Sequence, residues 1–265
     1  MNPLEILRYI AGLDDESPEH VVAASLDSLS VLSAQPELLF VALKRLLLAH
    51  PRNGLLWWVA NKILLSIDIE SELLEIKTVL SNDVTLDALT EELENGTVLF
   101  FLDENRGFQD VQTPKLTRRS LQASLARLER RGPINYFDPI HPFTQLLAKA
   151  HPRDLSAVVI EPTSFSNGYV VIASEVASIA DRVLVEGVRV ICRVPVGFEL
   201  PKLLFEAQVN VLVKDCDSSD RFLCDDLTEL GALPGFRANP ELVTLVMGNR
   251  GGNRSDRVAS ELLLI

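Results

Sequence analysis

The side chains with most chemical scope in this chain stand beside turns. Arg106 follows an apolar run and neighbours Gly107, where an anion can approach closely. A guanidinium fork suits phosphate or carboxylate; the alternative is an ion pair with Asp103 or Glu104. Glu161 and Glu175 flank a strand–turn–helix pattern, and two carboxylates at a strand end can divide acid and base work between them. The competing account is solvation, with Glu175 favouring a helix N-terminus. Asp138 and His141 form a possible acid–imidazole pair, but Pro139 and Pro142 point to a rigid turn in which Asp138 caps a helix. Asp83 is a further carboxylate candidate. Ser81 needs an adjacent base to become a nucleophile, and no histidine lies near it in sequence. Cys192, Cys216 and Cys224 lack metal-site spacing, and the 4 histidines do not cluster with them. Cys192 sits in an apolar run and reads as a small core residue. The Gly248–Arg254 segment is glycine-rich but lacks the Gly-Lys-Ser/Thr ending of a phosphate loop, so it reads as surface loop. Neither a metal nor a cofactor is expected.

These groups need elements to hold them. Up to about residue 70 the apolar spacing is helical. Met1–Leu13 is amphipathic, with Glu5 and Arg8 inside its pattern, and so does not read as a signal peptide. Pro18–Ala34, Pro36–His50 and Leu55–Ile67 follow, with Pro36 placed for a first helical turn. Trp57 and Trp58 cannot share one helix face, which puts one of them at a domain or subunit boundary. Beyond residue 75 short apolar runs alternate with amphipathic stretches. Runs at Ile76–Leu80, Thr97–Leu102, Ile134–Phe137, Ala157–Ile160, Val188–Val194, Val209–Val213 and Glu241–Met247 suggest strands, and Ser255–Leu264 a terminal helix. Continuous apolar strands between helices imply a parallel sheet covered on both faces. The fold class is therefore α/β: a helical bundle over residues 1–70, then a Rossmann-like, mainly parallel sheet with helices on both faces over residues 71–265. No Gly-x-Gly-x-x-Gly turn follows any strand, so a dinucleotide is not indicated. Ligands of such sheets bind at the carboxyl ends of the strands.

Composition narrows the class. The 265 residues are 47% hydrophobic and 23% charged, which is ordinary globular usage. With 37 acidic against 25 basic residues the net charge is -12, which disfavours a broad nucleic-acid face. The local basic group Lys115, Arg118 and Arg119 reads as a solvated helix start. Apolar runs such as Leu38–Leu43 and Leu55–Ala60 are too short to span a bilayer. An odd, scattered set of cysteines fits a reduced, cytoplasmic setting.

At the turns the order of segments is similar to one family. Pro51-Arg52-Asn53-Gly54-Leu55-Leu56-Trp57-Trp58-Val59-Ala60 looks like an Arg-Pro-Thr segment leading into a helix with an aromatic and an alanine. Thr78-Val79-Leu80-Ser81-Asn82-Asp83 looks like a first strand with its exit loop. Asp103-Glu104-Asn105-Arg106 is similar to a Glu-Thr/Ser-Arg-Pro turn, followed by Leu116-Thr117 for its Leu-Thr, and Tyr136-Phe137-Asp138 stands for a strand ending in Asp. Ala157-Val158-Val159-Ile160, Asn167-Gly168, Gly187-Val188-Arg189-Val190-Ile191 and Phe236-Arg237-Ala238-Asn239-Pro240-Glu241-Leu242-Val243 match later segments. In this order and spacing, over about residues 50 to 250, the chain resembles the group that holds the alpha, beta and delta subunits of eukaryotic translation initiation factor 2B, with methylthioribose-1-phosphate isomerase and ribose-1,5-bisphosphate isomerase. The resemblance implies a homodimer formed through the C-terminal domain. It also implies ligand contacts from Arg52, Asn82, Glu104, Arg106, Asn167 and Gly168; for Arg52 the alternative is a cation that closes its own loop.

The departures bear on chemistry. The isomerases use a cysteine in the first exit loop, where this chain has Ser81. They use the aspartate of Gly-Ala-Asp, where this chain has Glu161-Pro162-Thr163, and their Asn-Lys falls on Ile172-Ala173. Pro162 or Thr163 in the aspartate's place cannot act as acid or base near neutral pH. The expected function is a non-catalytic relative that binds a partner protein or a phosphorylated metabolite in the interdomain cleft. The alternative is an isomerase-like enzyme with a rebuilt site using Glu161, Asp138, Asp83 or Ser81. A third possibility is an interaction protein whose cleft is plugged by Phe165, Ile172 and Phe198.

Overall fold

A computed structural model describes residues 3–13, 18–85, 88–89, 97–101, 134–137, 155–166, 169–171, 187–215, 243–247 and 257–265. Five helices open the chain: α1 (Pro3–Ile10), α2 (Pro18–Leu32), α3 (Pro36–Ala49), α4 (Gly54–Leu65) and α5 (Ile69–Ser81). Each follows from its pattern. In α3, Pro36 enters at the first turn and Leu39, Ala42, Leu43, Leu46 and Leu47 form the buried stripe. In α5, the Asp68 carboxylate accepts the Ser71 N–H at 3.2 Å, and Glu70 and Glu72 lie in the first turn beside the positive end of the helix dipole. α4 is apolar almost all round. Leu55, Leu56, Trp57, Val59, Ala60 and Ile63 are all buried, as a helix packed on every side requires.

The sheet contains β1 (Thr97–Phe101), β2 (Ile134–Phe137), β3 (Leu155–Ile160), β6 (Arg189–Val194) and β7 (Val243–Met247) in the order β2-β1-β3-β6-β7. All four pairings are parallel. The chain runs outward from β1 to β2, then crosses back to β3 and continues through β6 to β7. The direction of winding therefore reverses between β1 and β3, the point at which doubly wound sheets open a crevice. A short antiparallel hairpin, β4 (Ser164–Ser166) and β5 (Tyr169–Val171), leaves the carboxyl end of β3. Helix α6 (Lys202–Asp215) packs on β4, on α4 and on a final 3-10 helix, Ser260–Leu264. One continuous apolar cluster runs from Leu7 through α4 and β6 to Leu262.

Three expectations change. Ile76–Leu80 is not a strand, and Thr78–Asp83 is not a strand with its exit loop: the segment is the last part of α5 and its cap. Leu73 and Ile76 are buried three residues apart while Glu70, Glu75 and Lys77 stay outside the core, so the helical period outweighs the short apolar run. Val209–Val213 lies inside α6. Its β-branched residues favour a strand locally, but Leu204, Phe205, Gln208, Val209, Val211 and Leu212 bury one helical face, and packing overrides propensity. The terminal helix is a 3-10 helix and begins at Ser260.

Candidate functional site

The carboxyl ends of β3 and β6 bring three charged groups together. Glu161 follows β3 directly, at the winding reversal, and is 5% exposed. Arg193 sits near the end of the adjacent strand β6 and is 6% exposed. Its Nη1 donates to Glu161 Oε1. Its Nε donates to Thr85 Oγ1 at 2.9 Å, and its Nη2 lies 3.5 Å from Asp83 Oδ2. Asp83 Oδ1 accepts the Thr85 N–H at 2.9 Å, which folds the turn after α5 around the guanidinium. One cation thus ties two strand ends to the segment leaving the helical layer.

This geometry narrows what Glu161 can do. A carboxylate bonded to a buried guanidinium has its accepting oxygen already committed. Neighbouring Cys192 is buried, and its thiol is pushed up to about 12, first by burial and then by the Glu161 charge. A neutral thiol is neither nucleophile nor metal ligand. Among the described residues no group of three or more His, Cys, Asp or Glu side chains is placed to hold a metal ion.

The remaining candidates do not gather here. Ser81 ends α5, and its Oγ donates to the Thr78 carbonyl at 2.8 Å, on an exposed surface. Asn82 caps the same helix, its N–H donating to the Val79 carbonyl, with its side chain exposed. Arg52 lies half-buried in the turn before α4, where its carbonyl accepts the Gly54 N–H at 3.0 Å. Glu104, Arg106, Asp138, His141, Asn167, Gly168, Ile172 and Glu175 fall outside the described residues, as does the Gly248–Arg254 segment.

Where the helical layer meets the strand ends, the seam is closed by the chain itself. Asn53 caps α4 by accepting the Leu56 N–H at 2.9 Å, and its amide donates to the Pro18 carbonyl at 3.2 Å. The next N–H, of Gly54, donates to the Thr163 carbonyl at 3.1 Å. A side chain at Gly54 has no room: its Cβ would stand 2.3 Å from Thr163 O and 2.6 Å from Ser164 Cβ. On the far side of β4, the Phe165 N–H donates to the Phe198 carbonyl and the Leu200 N–H to the Phe165 carbonyl, both at 2.8 Å. Phe165 and Phe198 are both buried. Gly197 turns with φ +84, and a Cβ there would meet Leu55 Cδ1 at 2.4 Å and the Trp58 ring at 3.1 Å. Trp58 is thus the tryptophan that faces this boundary, while Trp57 is fully buried and donates its indole N–H to the Pro51 carbonyl at 3.1 Å.

Sequence reasoning picked out Glu161 and Asp83 but missed Arg193, Thr85 and the hairpin. One signal was available: Val190-Ile191-Cys192-Arg193-Val194 sets an arginine in an apolar strand, and a buried guanidinium demands a carboxylate.

No protein-family model matches the chain, and no curated protein matches it. The structure is similar to that of a Pyrococcus horikoshii protein described as translation initiation factor eIF-2B, with a TM-score of 0.54 at 11% identity over 74% of this chain and 79% of that one. A Pyrococcus horikoshii 5-methylthioribose 1-phosphate isomerase aligns at a TM-score of 0.46 and 11% identity, over 75% of this chain and 68% of that one. The first of these likenesses shows the fold: a helical N-terminal region joined to a parallel α/β sheet.

Proposed function

We propose that this chain is a non-catalytic member of the initiation-factor-2B-like group that works by binding a partner protein. In this reading residues 1–70 form the helical domain, residues 71–265 the Rossmann-like domain, and the chain acts in the cytoplasm as a homodimer through the second domain. The observation that carries the reading is the seam at Gly54, where the first free turn of α4 is met by the chain's own Thr163 carbonyl. A helix N-terminus is a ready anion site only while its N–H groups face a ligand. Here a peptide oxygen takes one, and Phe165 and Phe198 lie buried beside it. The charged cluster adds to this, since two carboxylates face one guanidinium, and a phosphate brought alongside meets repulsion.

The test is twofold. Thermal unfolding is followed with methylthioribose 1-phosphate, ribose 1,5-bisphosphate and nucleotides at millimolar concentration, and isomerase turnover is assayed on both sugar phosphates. No stabilisation and no turnover are expected. A saturable rise in melting temperature restores the metabolite-binding reading. Turnover that disappears in a Glu161→Gln chain establishes the enzyme with a rebuilt site.

A further inference from the structure

Three buried polar side chains lie on elements that pack together, the turn before α4, strand β4 and helix α6. Ser164 and Ser166 are two apart on β4, so their side chains share one face of that strand. The Gly54 contact shows that the Ser164 side is the one turned to the start of α4. Across the corner, Gln208 of α6 donates through Nε2 to the Pro51 carbonyl at 3.0 Å. Ser164 and Gln208 are 0% exposed and Ser166 is 3% exposed. Ser164 Oγ, Ser166 Oγ and Gln208 Oε1 have no hydrogen-bond partner among the described residues.

The orientation of Gln208 decides what suits this corner. The Pro51 carbonyl also accepts the Trp57 indole N–H, so it presents only lone pairs to the Gln208 amide. The amide must turn its NH2 group toward Pro51, which aims Oε1 the other way. A buried amide oxygen needs a donor. A serine hydroxyl can donate or accept. The guest that satisfies all three atoms therefore offers hydrogens and lone pairs together.

We propose that this corner is a buried hydration site, which holds ordered water between Gln208 Oε1 and the hydroxyls of Ser164 and Ser166 and rejects oxyanions. Water supplies the donor that Gln208 lacks and completes each hydroxyl, with the few polar partners that buried water requires. An oxyanion would set its own lone pairs against Gln208 Oε1, in a place where low dielectric magnifies the repulsion. The inference does not depend on whether the protein is catalytic. It concerns a corner that the charged cluster does not use.

The decisive measurement is a high-resolution crystal structure of the full chain grown in the presence of inorganic phosphate. The expected result is a rounded peak about 2.7–3.0 Å from Gln208 Oε1 and from at least one of the two hydroxyls. A tetrahedral phosphate in the corner overturns the proposal. So does a monovalent cation, and so does a corner without a guest whose three side chains bond to protein atoms instead. In a Gln208→Met chain the peak should weaken or vanish, with the melting temperature within about 4 °C of the parent, because Pro51 keeps its bond from Trp57. An unchanged peak in that variant refutes the role assigned to Gln208.

Discussion

At the residue scale, Arg193 is the position on which most depends. It is buried, and it satisfies one buried carboxylate, one half-buried carboxylate and the Thr85 hydroxyl. Breaking such a pair costs more than the pair itself contributes, because a charge is left stranded. Arg193→Met should therefore lower stability by about 3–5 kcal/mol, as read by urea unfolding. Adding Glu161→Gln should recover part of that loss, since the stranded charge is then gone. Equal stability of the single and double variants would show that the two side chains are not coupled. The neighbouring thiol makes a prediction about pH. Burial raises the Cys192 thiol from its ordinary value of 9.0 to about 12, so the folded chain keeps a proton that the unfolded chain releases. Its contribution to stability is whole below pH 9.0 and is lost as pH climbs through about 12. Cys192→Ala should flatten the alkaline fall in stability, and a thiol reagent should leave Cys192 unlabelled in the folded state at pH 8.

At the element scale, the start of α4 holds the helical layer to the strand ends. Gly54→Ala forces the Thr163 carbonyl to move, and backbone cannot yield as a flexible side chain does. The expected outcome is a loss of stability larger than that of Asn53→Ala, which removes a cap and should cost about 1–2 kcal/mol. If Gly54→Ala unfolds at the parent's denaturant midpoint, the seam is looser than its geometry implies. The elements differ in how plainly the sequence announced them. The helices of the first domain were legible because Leu39, Leu43, Leu46 and Leu47 repeat at helical spacing behind Pro36. β3 and β6 were legible as continuous apolar runs. α5 and α6 were partly misread, because Ile76–Leu80 and Val209–Val213 look like strands when taken without the residues around them. The hairpin was invisible for a different reason. Ser164 and Ser166 are small and polar, and their burial is set by α4 and α6, elements far away in the chain. Glu161 was legible as a carboxylate at a strand end, but its commitment to Arg193 was not, since 32 residues separate them.

At the scale of the whole molecule, the apolar cluster does not stop at residue 70. It passes from Leu43 and Leu47 through Leu55 and Trp57 to Cys192, Val194 and Leu204 without a break. A core shared in this way should couple the unfolding of the helical layer to that of the sheet. Tryptophan fluorescence, which reports Trp57 and Trp58, should therefore share its denaturant midpoint with hydrogen exchange at β6. Two separate midpoints would mean that the proposed domains are energetically independent despite the common core.

The side chain of Asn61 sets a condition on how this chain reaches its final shape. Its amide donates to the Arg257 carbonyl at 3.1 Å and its oxygen accepts the Ala259 N–H at 2.9 Å, closing contacts across 196 and 198 residues. An early helix is thus finished by residues made long after it. Contacts of such long sequence separation are slow to form. During synthesis α4 waits with one buried amide unfilled until residue 259 has left the ribosome, so its apolar faces stay open to chaperones while the intervening residues are made.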